Sequence, residues 1–247
     1  MSPTVTTAGA AKATGAGQVL SILRSSHPLQ ALVFGTAIAL AAVLSGRPLR
    51  EALVAGVAVL LAQAALGLGN DVADREYDAA GKVPGKPIAE GLVPVGNATF
   101  VIAILVLLVI PLSLQNGIAA GLFLLAALLV GYVHNRWLHR RAWSWVGWLL
   151  TFGLLAPYLS FGGWGSTHHG SAPTVAVTLA AAAVGVGVHF LTTLPDLVQD
   201  NDSGSRNLPL RVALKTGAPR LLAISAVMTA GSAVALVVSA LTVGLRS

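Results

Sequence analysis

The chain has 247 residues, 55% of them hydrophobic and only 10% charged, and its mean hydropathy is +0.78. That composition excludes a soluble globular domain and fits a chain that lives in lipid. Cysteine is absent, which removes thiolate chemistry and a disulfide framework, and the cations behind the net charge of +6 sit between apolar runs rather than in a nucleic-acid-binding patch.

Residues 1–20 are rich in Ala, Gly and Thr, carry a single cation, Lys12, and lack a compact apolar core. They read as a disordered tail before a membrane domain over residues 21–247, not as a cleaved signal peptide. Seven apolar segments follow, near residues 28–45, 51–70, 96–114, 117–133, 142–161, 173–195 and 219–243. Each is long enough, or nearly so, to cross roughly 30 Å of hydrocarbon. The predicted fold is therefore all-α, a polytopic transmembrane helix bundle of about seven spans. Frequent Gly and Ala permit close helix approach in lipid. Pro111 and Pro157 fall inside apolar runs and are expected to kink them beside cavity-lining surface. The stretch from Asn207 to Gly217 is too short and too basic to span, and is expected at the interface.

Seven crossings place twelve of the fifteen Lys and Arg residues on one side, with Arg47, Arg50 and Arg246 on the other. The positive-inside rule makes the crowded side cytoplasmic in a cell-membrane protein. Two acidic clusters close apolar runs on that same side. They are Asn70-Asp71-Val72-Ala73-Asp74-Arg75-Glu76-Tyr77-Asp78 and Asp196-Leu197-Val198-Gln199-Asp200-Asn201-Asp202, and they hold seven of the nine carboxylates. Carboxylates at a membrane edge are costly and are rarely placed there without a partner or a task. Solvated salt bridges to Arg75, Lys82, Lys86, Arg206 and Arg211 would explain one such cluster, but two at the same level argue for a shared site.

If the second span stays helical through its motif, Asn70, Asp74 and Asp78 form one stripe drifting by about 40° per step, with Asp71 roughly 100° away at its edge. Asp196 and Asp200 repeat the four-residue spacing on the sixth span. Two facing stripes make a divalent-metal cage whose expected ligands are Asn70, Asp71, Asp74, Asp78, Asp196 and Asp200. Mg²⁺ prefers such hard oxygens and commonly brings substrate phosphate with it.

These segments resemble the signatures of the UbiA superfamily of intramembrane prenyltransferases. Asn70-Asp71-x-x-Asp74-x-x-x-Asp78, followed by Gly85-Lys86-Pro87-Ile88-Ala89-Glu90-Gly91, is similar to the family's NDxxDxxxD run and the Arg/Lys-Pro turn after it. Asp196-x-x-x-Asp200-x-x-x-Gly204-x-x-Asn207-Leu208-Pro209 is similar to its second run, and Arg24-x-x-His27-Pro28 to the motif at its first span. The resemblance implies Mg²⁺-dependent transfer of a prenyl group from an isoprenyl diphosphate to a lipophilic acceptor, aromatic ones included. Under it Asp74, Asp196 and Asp200 are catalytic. The family usually has nine helices, so either a neighbouring protomer of a homo-oligomer supplies the missing pair or the bundle is open to membrane lipid there. The family's Tyr…Leu-Lys-Arg loop stands here as Tyr132…Leu138-His139-Arg140-Arg141, with His in place of Lys.

Lys86 and Arg140 are the candidate diphosphate-binding cations, with Arg24 and Tyr132 as weaker candidates. Gln63 and His189 each lie seven residues before a motif, about two turns deeper on the same face. A polar group at that depth should face the bundle interior. They are candidates to read the acceptor, with His189 also able to take the proton lost on alkylation. An interhelical hydrogen bond is the plainer role for both. The His168-His169 pair with Trp164 reads as a solvated loop, and Trp137, Trp143, Trp145 and Trp148 as an interfacial belt. A terpene cyclase using the same diphosphate is the rival within enzymes, disfavoured by an aromatic content of only 6%. A cation transporter would need acids near mid-membrane, and none is there.

Overall fold

The computed structural model describes residues 15–163 and 170–245. Among these residues the regular structure is helical, with no strand. α1 (Gly15–Ser25) and α2 (Pro28–Leu44) meet at a 55° bend. His27, in the left-handed region at φ 50°, makes the bend, and Pro28 opens α2, where a missing N–H costs nothing. Residues 15–20, assigned from composition to the tail, are thus part of α1, because Val19 and Leu20 continue into the apolar run of that helix.

α3 (Leu49–Ala80) runs for 32 residues, roughly 48 Å at 1.5 Å per residue. That exceeds the hydrocarbon thickness, so its last turns, which carry the first acidic motif, extend past the apolar part of the bundle. α4 (Val95–Gln115) returns, and α5 (Ile118–Val133) leads into a π-helical turn (His134–Leu138). α6 (Ser144–Ser160) and α7 (Val175–Thr193) follow. Pro195 then ends regular helix, and a 3₁₀ turn (Leu194–Asp196) joins α7 to the short α8 (Leu197–Asp202). α9 (Leu208–Thr216) is a short amphipathic helix capped by Asn207, whose Oδ1 accepts from Leu210 N at 2.8 Å, and α10 (Ala218–Thr242) ends the bundle.

Each long helix packs on the next in the chain, and α10 packs on α7. α2 and α3 approach most closely at Gly35 and Gly56, where a Cβ on either would lie 2.9 and 2.7 Å from the other's carbonyl oxygen. The core is Ala-rich, with Ile38, Val59, Val109, Leu124 and Leu155 around a fully buried Tyr158. A polar clasp closes the end opposite the acidic motifs. Arg47 Nη1 donates to Asn116 Oδ1 at 2.5 Å and its other terminal nitrogen to Leu159 O, while Asn116 Nδ2 donates to Tyr158 O at 3.2 Å. Tyr158 O–H in turn donates to Ala55 O at 3.1 Å.

Among the described residues, five helical segments are long and apolar enough to cross a membrane, α5 counted with its π turn and α7 with α8, and six if α1 and α2 count as one bent span. The expectation of seven included α2 and α6, each of 17 residues, which is the lower limit for crossing about 30 Å. Pro111 and Pro157 sit within continuous α4 and α6, and neither lines the cavities described below. Trp164 and the His168-His169 pair lie outside the described residues, as do residues 1–14.

Candidate active site

A cavity of about 490 Å³ opens at the acidic end of the bundle. Both motifs reach it. Asn70, Asp74 and Asp78 enter from the last turns of α3, and Asp196 and Asp200 from the turn and short helix after α7. The i, i+4, i+8 stripe read from the sequence is therefore one wall, and the broken end of α7 is the wall facing it.

The carboxylates differ in how they are held. Asp74 Oδ1 receives Arg140 at 3.0 Å and lies 3.1 Å from His139 Nε2. The Arg140 guanidinium also lies 3.8 Å over the Tyr77 ring. Asp200 is buried and accepts from Asn207 Nδ2 at 2.6 Å and from the Tyr77 hydroxyl at 3.2 Å. Gln199 Nε2 approaches Asp78 Oδ1 at 3.4 Å, whereas Asp78 Oδ2 is buried without a hydrogen bond. Asp196 makes neither an ion pair nor a side-chain hydrogen bond among the described residues. It is the cavity carboxylate that the fold does not use.

Asp71 belongs elsewhere. Its side chain is 3% exposed and is absent from the cavity wall; Lys86 Nζ meets its Oδ1 at 2.7 Å and His27 Nε2 at 3.1 Å. The 100° offset from the stripe turns it toward the α1–α2 bend, so it anchors that bend and Lys86 instead of joining the metal set expected from the sequence. Lys86, with its side chain 23% exposed, lines the mouth and lies 3.8 Å from Asp78 as well. Burial works against its ammonium, but Asp71, Asp78 and Asp196 more than offset this, so its pKa stands above the ordinary lysine value. It arrives there on a turn that needs Gly85 at φ 80°, closed by Gly85 N donating to Glu90 Oε1 at 2.7 Å.

Arg24 and Tyr132 do not reach this cavity. Arg24 is exposed against the Gly85 turn, and Tyr132 lines a different groove between α4 and α5. Gln63 and His189 do line it, below the carboxylates, as their two-turn offset requires. His189 Nε2 pairs with Ser144 Oγ at 2.8 Å, and its ring stacks on Trp148 with centroids 5.8 Å apart. Trp148 is thus a cavity residue and not part of an interfacial belt, and Phe152 continues the same aromatic wall. The belt reading treated the four tryptophans alike, whereas helical rotation turns Trp148 inward and leaves Trp143 64% exposed. Gln30 and His134 also line the cavity. Both lie within a turn or so of a span end, where polar residues are expected anyway, so the rule that found Gln63 passes over them.

No three His, Asp or Glu side chains among the described residues converge closely enough to hold a metal ion unaided. The expected cage is therefore not preformed. The donor set still suits Mg²⁺, which is usually held by one or two carboxylates together with substrate phosphate rather than by an all-protein cage. Asn70, Asp196, Asp74 Oδ2 and Asp78 Oδ2 accept no hydrogen bond among the described residues and are the oxygens left to a metal, with Lys86 3.8 Å from the last of them.

Fold and site together define a polytopic helical membrane protein built around one carboxylate-lined chamber. The model of the UbiA prenyltransferase family matches residues 31–246, and the chain belongs to that family. Solved structures agree in fold. A UbiA homologue from Archaeoglobus fulgidus bound to DMAPP and Mg²⁺ superposes with a TM-score of 0.67 at 20% identity, covering 87% of this chain and 76% of that one. The same homologue bound to GPP and Mg²⁺ gives 0.66 at 18% identity, covering 88% and 86%. A digeranylgeranylglyceryl phosphate synthase structure gives 0.62 at 17%, covering 92% and 79%. No curated protein matches by sequence.

Proposed function

We propose that this protein is a Mg²⁺-dependent intramembrane prenyltransferase that ionises an isoprenyl diphosphate and passes the prenyl group to a lipophilic acceptor. The observation that carries this is the meeting of two distant acidic motifs and two cations on one cavity whose deeper wall is apolar and aromatic. The binding of DMAPP and GPP with Mg²⁺ by the Archaeoglobus fulgidus homologue supports the choice of substrate. Asn70, Asp74, Asp78, Asp196 and Asp200 would hold Mg²⁺, which would supply charge neutralisation for the diphosphate leaving group. Lys86 and Arg140 hold phosphate oxygens at the mouth. Trp148 and Phe152 shield the prenyl cation from water and stabilise it by their ring faces. As the new bond to the acceptor forms, a proton leaves the acceptor. His189 Nε2 is hydrogen-bonded to Ser144 Oγ; in the tautomer whose Nε2–H donates to that hydroxyl, Nδ1 is the ring nitrogen that takes the proton. The positive-inside distribution assigns this mouth to the cytoplasm.

The test is incubation of purified protein with allylic diphosphates of several lengths and Mg²⁺. Diphosphate release only after a lipophilic aromatic or alcohol acceptor is added is the expected result. Release without acceptor, with a cyclic hydrocarbon as product, would establish the cyclase instead. The Trp148–Phe152 wall keeps that second reading open, because a cyclase needs such faces.

Gln63→Leu and His189→Leu separate acceptor recognition from helix cohesion. If the two residues read the acceptor, each variant raises acceptor KM or slows transfer while the diphosphate KM stays unchanged. If they only tie helices together, stability falls by about 0.6 kcal/mol, the average for such bonds in lipid, and turnover is preserved. Steady-state kinetics with each substrate varied, beside thermal stability in detergent, distinguishes the two. An equal loss in both KM values defeats the acceptor role.

A further inference from the structure

A second cavity, of about 760 Å³, lies between α4 and α5 with α3 as its floor. At the Asn116-Gly117 turn the two helices touch closely, Gly121 lying against the Ser113 and Leu114 backbone. The cavity begins beyond that contact, at Ile110 and Leu125, and runs toward the acidic end as far as Thr99 and Tyr132. Its walls are aliphatic and its floor small, with Ala65, Gly69 and Ala73. A Cβ built at Gly69 meets nothing within 4 Å, so the floor is open space, not a helix contact.

At the acidic end the walls turn polar, and two cations, Arg75 and Arg136, stand there. Arg136 makes no ion pair among the described residues. Arg75 is paired with Glu76, its chain neighbour, at 3.0 Å, but the two side chains are 44% and 85% exposed. Such a solvated pair is weak and leaves the guanidinium open to another anion. An aliphatic groove at hydrocarbon depth is filled by acyl chains and not by water. With two arginines at headgroup level, the chain that fills it is selected by a negative headgroup. Leu66 and Asn135 line both this groove and the carboxylate chamber, and Asn135 Nδ2 donates to Leu66 O at 2.9 Å. One partition separates the two.

We propose that this groove is a binding site for an anionic phospholipid, with an acyl chain between α4 and α5 and the phosphate between Arg75 and Arg136. The site is independent of prenyl transfer, and its test needs no turnover. Native mass spectrometry of the full chain with dioleoyl phosphatidylglycerol or dioleoyl phosphatidylcholine gives a Kd for each lipid. Phosphatidylglycerol should bind roughly thirtyfold more tightly, about five- to sixfold for each of two basic side chains near the surface. Gly69→Leu, whose Cβ meets nothing within 4 Å, puts its side chain into the floor and should remove both adducts. The Arg75→Gln/Arg136→Gln pair should erase the preference and leave phosphatidylcholine binding unchanged. Equal affinity for the two lipids overturns the proposal, as does a Gly69→Leu chain that binds normally. Should Gly69→Leu fail to fold, the arginine pair decides alone, since both side chains are exposed: a preference that survives their loss overturns the site.

Discussion

Asp196→Ala is expected to lower prenyl transfer by about 10³-fold, the scale set by removing a ligand from a metal-assisted ionisation, and to leave thermal stability unchanged. The second half follows from the structure. Asp196 lines the chamber yet makes no ion pair or side-chain hydrogen bond among the described residues, so its removal orphans nothing. Asp74→Ala should abolish activity as fully, but it also releases Arg140 and His139, which converge on Asp74 at 3.0 and 3.1 Å. The cleaner variant is therefore Asp196→Ala, read by turnover and by melting in detergent side by side. Chelation of divalent cations should reproduce the loss in the wild-type chain, and excess Mg²⁺ should restore it. Full turnover in Asp196→Ala, or in excess chelator, would sink the metal–diphosphate mechanism.

Lys86→Met is expected to damage both fold and function. Lys86 is the cation that Asp71 and Asp78, 3% and 7% exposed, share at 2.7 and 3.8 Å. Removing one partner of a buried ion pair leaves an uncompensated charge, at about 3 kcal/mol. Loss of a charge-assisted contact to the diphosphate should separately weaken its binding at least about tenfold. The two effects part in the double variant. Lys86→Met with Asp71→Asn removes the stranded charge and should recover part of the melting temperature, while diphosphate affinity stays low. Recovery of diphosphate affinity in the double variant would make Lys86 a structural ion-pair partner and nothing more.

The Lys86–Asp71 pair also shows where reading the sequence stops. Asp71 carries the family signature as plainly as Asp74 does, and both are carboxylates near the end of one helix. Their roles part only because the α1–α2 bend at His27 brings an imidazole, and the Gly85 turn brings Lys86, to the Asp71 side. Trp148 gives the same lesson. Among neighbouring tryptophans it reads as part of a belt, and the rotation of α6 against α7 stacks it on His189 inside the chamber. Tyr132 and Arg24, matched by motif, are turned away to another groove and to the Gly85 turn.

What the sequence determined by itself is the class of molecule and which polar residues gather at one end of the bundle. Apolar runs of spanning length leave only helices as a way to satisfy the backbone in lipid. The clustering of carboxylates at the ends of two such runs, at a four-residue spacing, puts Asn70, Asp74 and Asp78 on one face and Asp196 and Asp200 at the same level. These are local, periodic properties, and a helix carries them whatever it packs against. The tertiary structure alone decided which carboxylates are spent on the fold and which stay free, which aromatic rings line the chamber, and that a second groove lies one side chain away. Those outcomes depend on how each helix is rotated against its neighbours, through contacts between residues tens of positions apart, and no local period encodes that rotation.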